Sequence, residues 1–91
     1  MDTEIPTSGD IIQGGKDIIE AMSRLLVDLP DSVRVSTISS DNTVIFSLRV
    51  DQNDIGKVIG KGGKNIAALR HLIYAYSSKH NQRAMLELVE T

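Results

Sequence analysis

The chain has 91 residues, 41% of them hydrophobic, with a net charge of −2 and no cysteine. That is one small domain, able to bury about 60–65% of its unfolded surface, and it excludes a disulfide framework and a thiolate metal site. No apolar run approaches the roughly 20 residues that span a bilayer, and the acidic N-terminus lacks a signal-peptide pattern, so a cytoplasmic protein is expected.

Residues 1–9 are polar and contain Pro6, which predicts a mobile tail. Ile11, Ile12, Ile18, Ile19, Met22, Leu25, Leu26 and Leu29 then recur at helical spacing. Gly14 and Gly15 interrupt them, and a helix-interior glycine costs about 1 kcal/mol. The helix is therefore expected from Lys16, with 1–15 a flexible segment, Asp10–Gly15 at most a frayed extra turn, and 16–90 the single domain. Pro30 stops it.

Alternation over Val33–Ile38 and Thr43–Val50, around the turn cluster Ser39-Ser40-Asp41-Asn42, predicts a β-hairpin with Val33, Val35, Phe46 and Leu48 facing inward. Asp51 and Asp54 are placed to cap a short helix, Asp54–Ile59. Ile66, Leu69, Leu72, Ile73 and Tyr76 mark a longer helix to about Ser78, and Ala84–Val89 reads as a closing strand. A strand reached through two helices crosses over, so the last two strands should pair in parallel. The fold class is α+β, in the order α-β-β-α-loop-α-β: a three-stranded mixed sheet with helices on one face.

Between the last two helices lies Gly60-Lys61-Gly62-Gly63-Lys64. Helices abutting at a glycine-rich break expose unpaired N–H groups that attract anions, and the lysines add charge beside them. A Walker A loop fails, because no glycine stands five residues before Gly60 or Gly63. A dinucleotide fingerprint fails because Gly60-x-Gly62 is followed by Asn65. The local chemistry is that of a phosphate-backbone clamp, and the Gly60-x-x-Gly63 spacing, flanked by Ile55, Val58 and Ile59 before and Ile66 and Leu69 after, resembles that of a KH-domain loop.

The charge distribution agrees. Ten of the twelve acids lie at or before Asp54, and none falls between Ile55 and Leu86, where Lys57, Lys61, Lys64, Arg70, Lys79 and Arg83 occur. Such asymmetry marks an anion-binding face that the whole-chain charge conceals.

Other chemistries find little support. His71 and His80 lack companions for a metal site, and no nucleophile elbow or Ser-His-Asp pattern occurs. No enzyme, cofactor or small-molecule substrate is expected. Phe46, Tyr74 and Tyr76 are the only aromatics, with Phe46 and Tyr76 assigned to the core and Tyr74 to half-exposed surface, too few for stacking platforms of the RRM or OB kind.

Leu26-Val27-Asp28-Leu29-Pro30-Asp31-Ser32-Val33 and, more strongly, Asp54-Ile55-Gly56-Lys57-Val58-Ile59-Gly60-Lys61-Gly62-Gly63 resemble the type II KH domain. The chain is most similar to the small stand-alone bacterial KH proteins of the KhpA family, over about Lys16–Val89. The resemblance implies a cytoplasmic RNA-binding protein with RNA-chaperone character. It also implies a homodimer or a pairing with a second KH-containing protein of the KhpB type, and a link to cell shape and cell wall biogenesis. On that pattern Gly60, Lys61, Gly62, Gly63, Lys57 and Lys64 would hold phosphates. Ile59 and Ile66, with Ile55 and Val58, would floor a groove, and Lys79, His80 and Arg83 would reach the strand from its far wall. A second reading, a dimerising adaptor module, would use the outer sheet face around Ile45, Met85 and Val89, among Ser47, Arg49 and Glu87.

Overall fold

The computed structural model describes residues 8–90. It contains α1 (Ser8–Leu26), β1 (Arg34–Ser40), β2 (Thr43–Arg49), α2 (Ile55–Ile59), α3 (Lys64–Lys79) and β3 (Arg83–Leu88), with 3-10 turns at Pro30–Ser32, Gln52–Asp54 and Lys61–Gly63. The sheet order is β1-β2-β3, with β1 antiparallel and β3 parallel to β2. The mixed sheet and crossover are as expected.

Register explains which face is buried. Val35, Leu48 and Leu88 form one cross-strand row, and Phe46 and Leu86 belong to the next. These side chains point toward the helices, where Phe46, Leu48 and Val44 are almost wholly enclosed. Ile38, Ile45 and Met85 make a row on the other face, and Ile38 and Met85 are exposed there. A sheet covered by helices on one side only produces this alternation. Arg70 ties the layers together by donating its Nε–H to the carbonyl of Leu86 at 3.1 Å.

The first helix corrects the expected boundary. It starts at Ser8, eight residues before Lys16, and runs straight through Gly14 and Gly15. Of the tail expected over residues 1–9, residues 1–7 lie outside the described residues. The reason is packing: Ile11, Gly15, Ile19, Ser23 and Val27, four apart, are the buried ridge. A Cβ on Gly15 would stand 2.6 Å from Cζ of Phe46. The glycine lets the helix backbone rest on the aromatic ring, and tertiary contact outweighs its poor propensity. One turn earlier, the Tyr76 hydroxyl donates to the carbonyl of Ile11 at 3.0 Å, fastening the added turns to α3. Met22 and Leu25, expected in the apolar stripe, face outward instead, as do Leu29 and Leu72.

Candidate nucleic-acid interface

Asp51 caps the turn into α2, its side chain accepting from the Asn53 amide at 2.9 Å. Asp54 does something else. It makes no cap for α2. Its carboxylate, 1% exposed, accepts the Leu29 amide at 3.0 Å and lies 3.6 Å from the Lys57 ammonium. The segment after α1 is thus pinned to α2 by a buried acceptor whose removal would leave an unpaired amide, a loss of about 1–3 kcal/mol.

Lys57 is engaged in the same network. Its ammonium lies 3.2 Å from Asp28, and the hydrogen bond to Asp28, followed by that carboxylate's charge, raises its pKa above the ordinary lysine value. The two acids neutralise it locally, so the phosphate-holding role expected for Lys57 is not what its surroundings favour. Lys61 and Lys64 are different: both are exposed, and neither has a carboxylate partner among the described residues.

Three consecutive features build the loop. Gly60 ends α2 at φ 77°, and its amide still donates to Gly56 at 2.9 Å. Gly62 and Gly63 follow at φ 66° and 76°, the left-handed region that side chains adopt at a cost of about 1–2 kcal/mol. The amides of Lys61 and Gly62 have no acceptor among the described residues, while Gly63 donates back to Gly60 at 3.0 Å. Nothing stands within 4 Å of where a Cβ would sit on Gly62 or Gly63. The tip is therefore open space lined by bare N–H groups, beside the N-terminus of the 16-residue α3. Gly63 there supplies no side-chain cap, which leaves the positive end of the helix dipole available.

Asn65, which sequence reasoning passed over, holds this shape. Its side-chain amide donates to the Lys57 carbonyl at 2.9 Å, satisfying an orphan acceptor at the end of α2. It also fills the space a Cβ on Gly60 would need, with Cγ at 2.6 Å. An Asn two residues past a GxxG is the available signal, but the bond itself depends on how the two helices cross.

The remaining expected site residues separate. Ile59 and Ile55 are half-buried beside the loop, suitable as an apolar floor. Val58 is fully enclosed and Ile66 is 7% exposed, so both belong to the core rather than to a groove. Arg83 lies on the outer face of the sheet, opposite Thr43. It is separated from the loop by α3, whose 16 residues extend about 24 Å. Lys79 and His80 share that distant end. The structure brings together Ile59, Gly60, Lys61, Gly62, Gly63 and Lys64, and leaves Arg83 apart.

An αββααβ chain with a GxxG loop between its second and third helices is a KH domain in the type II arrangement. The model of the KhpA/KhpB KH-domain family matches residues 16–88, and the chain belongs to that family. It is 45% identical over 75 residues to the RNA-binding protein KhpA of Aquifex aeolicus, covering 82% of this chain and 95% of that one. It is 39% identical over 74 residues to the RNA-binding protein KhpA of Clostridium acetobutylicum, covering 81% and 99%. Among solved structures, Aquifex aeolicus Era bound to GDP and AlF4− superposes with a TM-score of 0.59 at 20% identity, over 97% of this chain but 32% of that one. Era in complex with MgGDPNP and nucleotides 1506–1542 of 16S ribosomal RNA gives 0.55 at 18%, over 97% of this chain and 35% of that one. The Era likeness bears on the fold alone. Residues 8–15 precede the family match, so the first two turns of α1 are an addition ahead of it.

Proposed function

We propose that the protein is a non-catalytic RNA-binding module, like the relatives named RNA-binding protein KhpA, and that it grips single-stranded RNA at Gly60–Gly63. The observation that carries the reading is the loop tip: two amide N–H groups without acceptors, in open space, flanked by the unpaired lysines Lys61 and Lys64. A strand's phosphates meet the amides, the lysines neutralise them, and Ile59 and Ile55 present an apolar surface to the bases. Lys57 steadies α2 through its acids rather than meeting phosphate, and Arg83 contacts only a strand long enough to run the length of α3.

Affinity for single-stranded RNA then falls with salt at about −0.7 per phosphate contact, hence a log–log slope of roughly −1.5 to −3 for two to four contacts. Titration of a labelled strand at several salt concentrations measures it; a flat response would rule out the clamp.

One loop makes few contacts, and linking two raises avidity through effective concentration. Self-association, or pairing with a second KH-containing protein of the KhpB type, is therefore part of the proposal. The outer-face row of exposed Ile38 and Met85 with half-buried Ile45 between them is the surface offered for it. Light scattering at tens of micromolar should show a dimer; a monomer that also captures no such partner removes this part. Among the described residues no helix is long and apolar enough to cross a membrane. A cytoplasmic location, an RNA-chaperone role and a contribution to cell shape and wall growth are proposed from family membership.

A further inference from the structure

A pocket of about 510 Å³ opens on the outer face of the sheet, lined by Arg34, Ser36, Ser47, Arg49, Glu87 and Val89. This is the face away from the helices and the loop. Arg34 and Arg49 are direct cross-strand partners, and like charges placed opposite each other destabilise a ladder. Neither guanidinium has a carboxylate partner among the described residues. Arg34 instead donates from one terminal nitrogen to the carbonyls of Asp31, at 2.7 Å, and Val33, at 2.8 Å. Those bonds fix the guanidinium at the rim and leave its other donors free.

The next row is short-chained, with Ser36 opposite Ser47, so the surface dips beside the arginines. Glu87 stands third in that row and accepts the Ser47 hydroxyl at 2.8 Å, which holds its carboxylate over its own row. Two arginines against one glutamate leave the pocket positive.

We propose that this pocket is a second phosphate site, taking backbone phosphates of an RNA strand long enough to pass from the loop around the sheet edge. The proposal rests on the reading of the chain as an RNA-binding protein. A phosphodiester has two free oxygens, one for each guanidinium. Seating it there converts the Arg34–Arg49 repulsion into charge-assisted hydrogen bonds of the kind arginine makes best. The Ser36 hydroxyl is a further donor. The Arg34–Arg49 pair lies four residues along the strands, about 13 Å, from the apolar row Ile38, Ile45 and Met85, with the row of Ser36, Ser47 and Glu87 between them.

The test maps amide chemical shifts of the full chain with single-stranded RNAs of about four nucleotides, the length a KH loop holds, and about twenty, beyond a single-module site. The longer RNA should move the amides of the loop together with those of Ser36, Ser47 and Arg49. The double variant Arg34→Gln, Arg49→Gln should bind the longer RNA roughly tenfold more weakly, with the salt slope shallower by about 1.4 for two lost contacts. It should leave loop shifts from the short RNA unchanged, and its thermal midpoint should not fall. A longer RNA that moves loop amides alone, or a variant with wild-type affinity and slope, overturns the second site and leaves the loop reading standing. Sheet amides moving without loop amides does the reverse. No response at either place removes both. Sheet amides that respond to a poly-glutamate peptide and not to RNA would assign the pocket to an acidic protein partner and overturn the proposal.

Discussion

Replacing Lys61 and Gly62 together with Asp should abolish RNA binding while the domain stays folded. The lysine reversal removes one positive charge and adds one negative, and the glycine replacement adds another, all where phosphates are to sit. Like charges meeting across a binding site cost several kcal/mol, more than one weakly binding loop recovers. The fold should survive because both residues are exposed at the tip and nothing lies within 4 Å of the Cβ position on Gly62. The one structural penalty is the backbone at Gly62, φ 66° and ψ 17°, a conformation that costs an L-residue about 1–2 kcal/mol and Asp less than most. Circular dichroism should show a midpoint lowered by a few degrees at most, and RNA titration should show no saturable binding. A folded double variant that bound RNA at wild-type strength would reduce Gly60–Gly63 to a turn.

Gly15→Ala should destabilise the protein, against the direction that helix propensity alone gives. In an exposed helix the change would gain about 1 kcal/mol. Here the new methyl stands 2.6 Å from Cζ and 3.1 Å from Cε1 of Phe46, a ring with 1% exposure and no room to retreat. Overpacking a tight core costs about 1–3 kcal/mol; a contact this short against an enclosed ring belongs to the upper part of that range, about 2–3 kcal/mol, so the clash wins and the net loss is about 1–2 kcal/mol. For a chain of this size the melting midpoint falls by roughly 5–10 °C. Gly56→Ala is the matched control: it lies in α2 with nothing within 4 Å of a Cβ and should hold or raise the midpoint by the propensity gain. If Gly15→Ala raised the midpoint as well, the first turns of α1 would not be seated on Phe46.

These two glycine positions also mark what was legible in advance. The loop was readable because its requirement is local: Gly60, Gly62 and Gly63 satisfy positive φ within a few residues, and the lysines stand beside them in sequence. The hairpin, the crossover and the inward set Val35, Phe46 and Leu48 were readable for a similar reason, since period-two alternation over Thr43–Val50 allows one register of buried faces. The helical stripe of α1 was less so. Counting apolar side chains puts Met22 and Leu25 inward and starts the helix only at Lys16, whereas the buried ridge runs through Gly15 and Ser23.

Small residues carry no hydropathy signal, and whether they are gaps or contact points depends on what the other layer places above them. Charge behaved the same way. The acid-free run from Ile55 to Leu86 placed Lys57, Lys61, Lys64 and Arg83 on one presumed surface, but charge attraction acts through space. Folding set Asp28 and Asp54 against Lys57 and carried Arg83 to the far end and the opposite face. The sequence by itself determined the element order, the sheet's buried face and the glycine loop between the last two helices, because each depends on residues that are neighbours along the chain. Only the tertiary structure decided which cations are free, that Asn65 braces the loop, and that Arg34 and Arg49 meet unpaired across the sheet, because those depend on contacts between segments that the chain order separates.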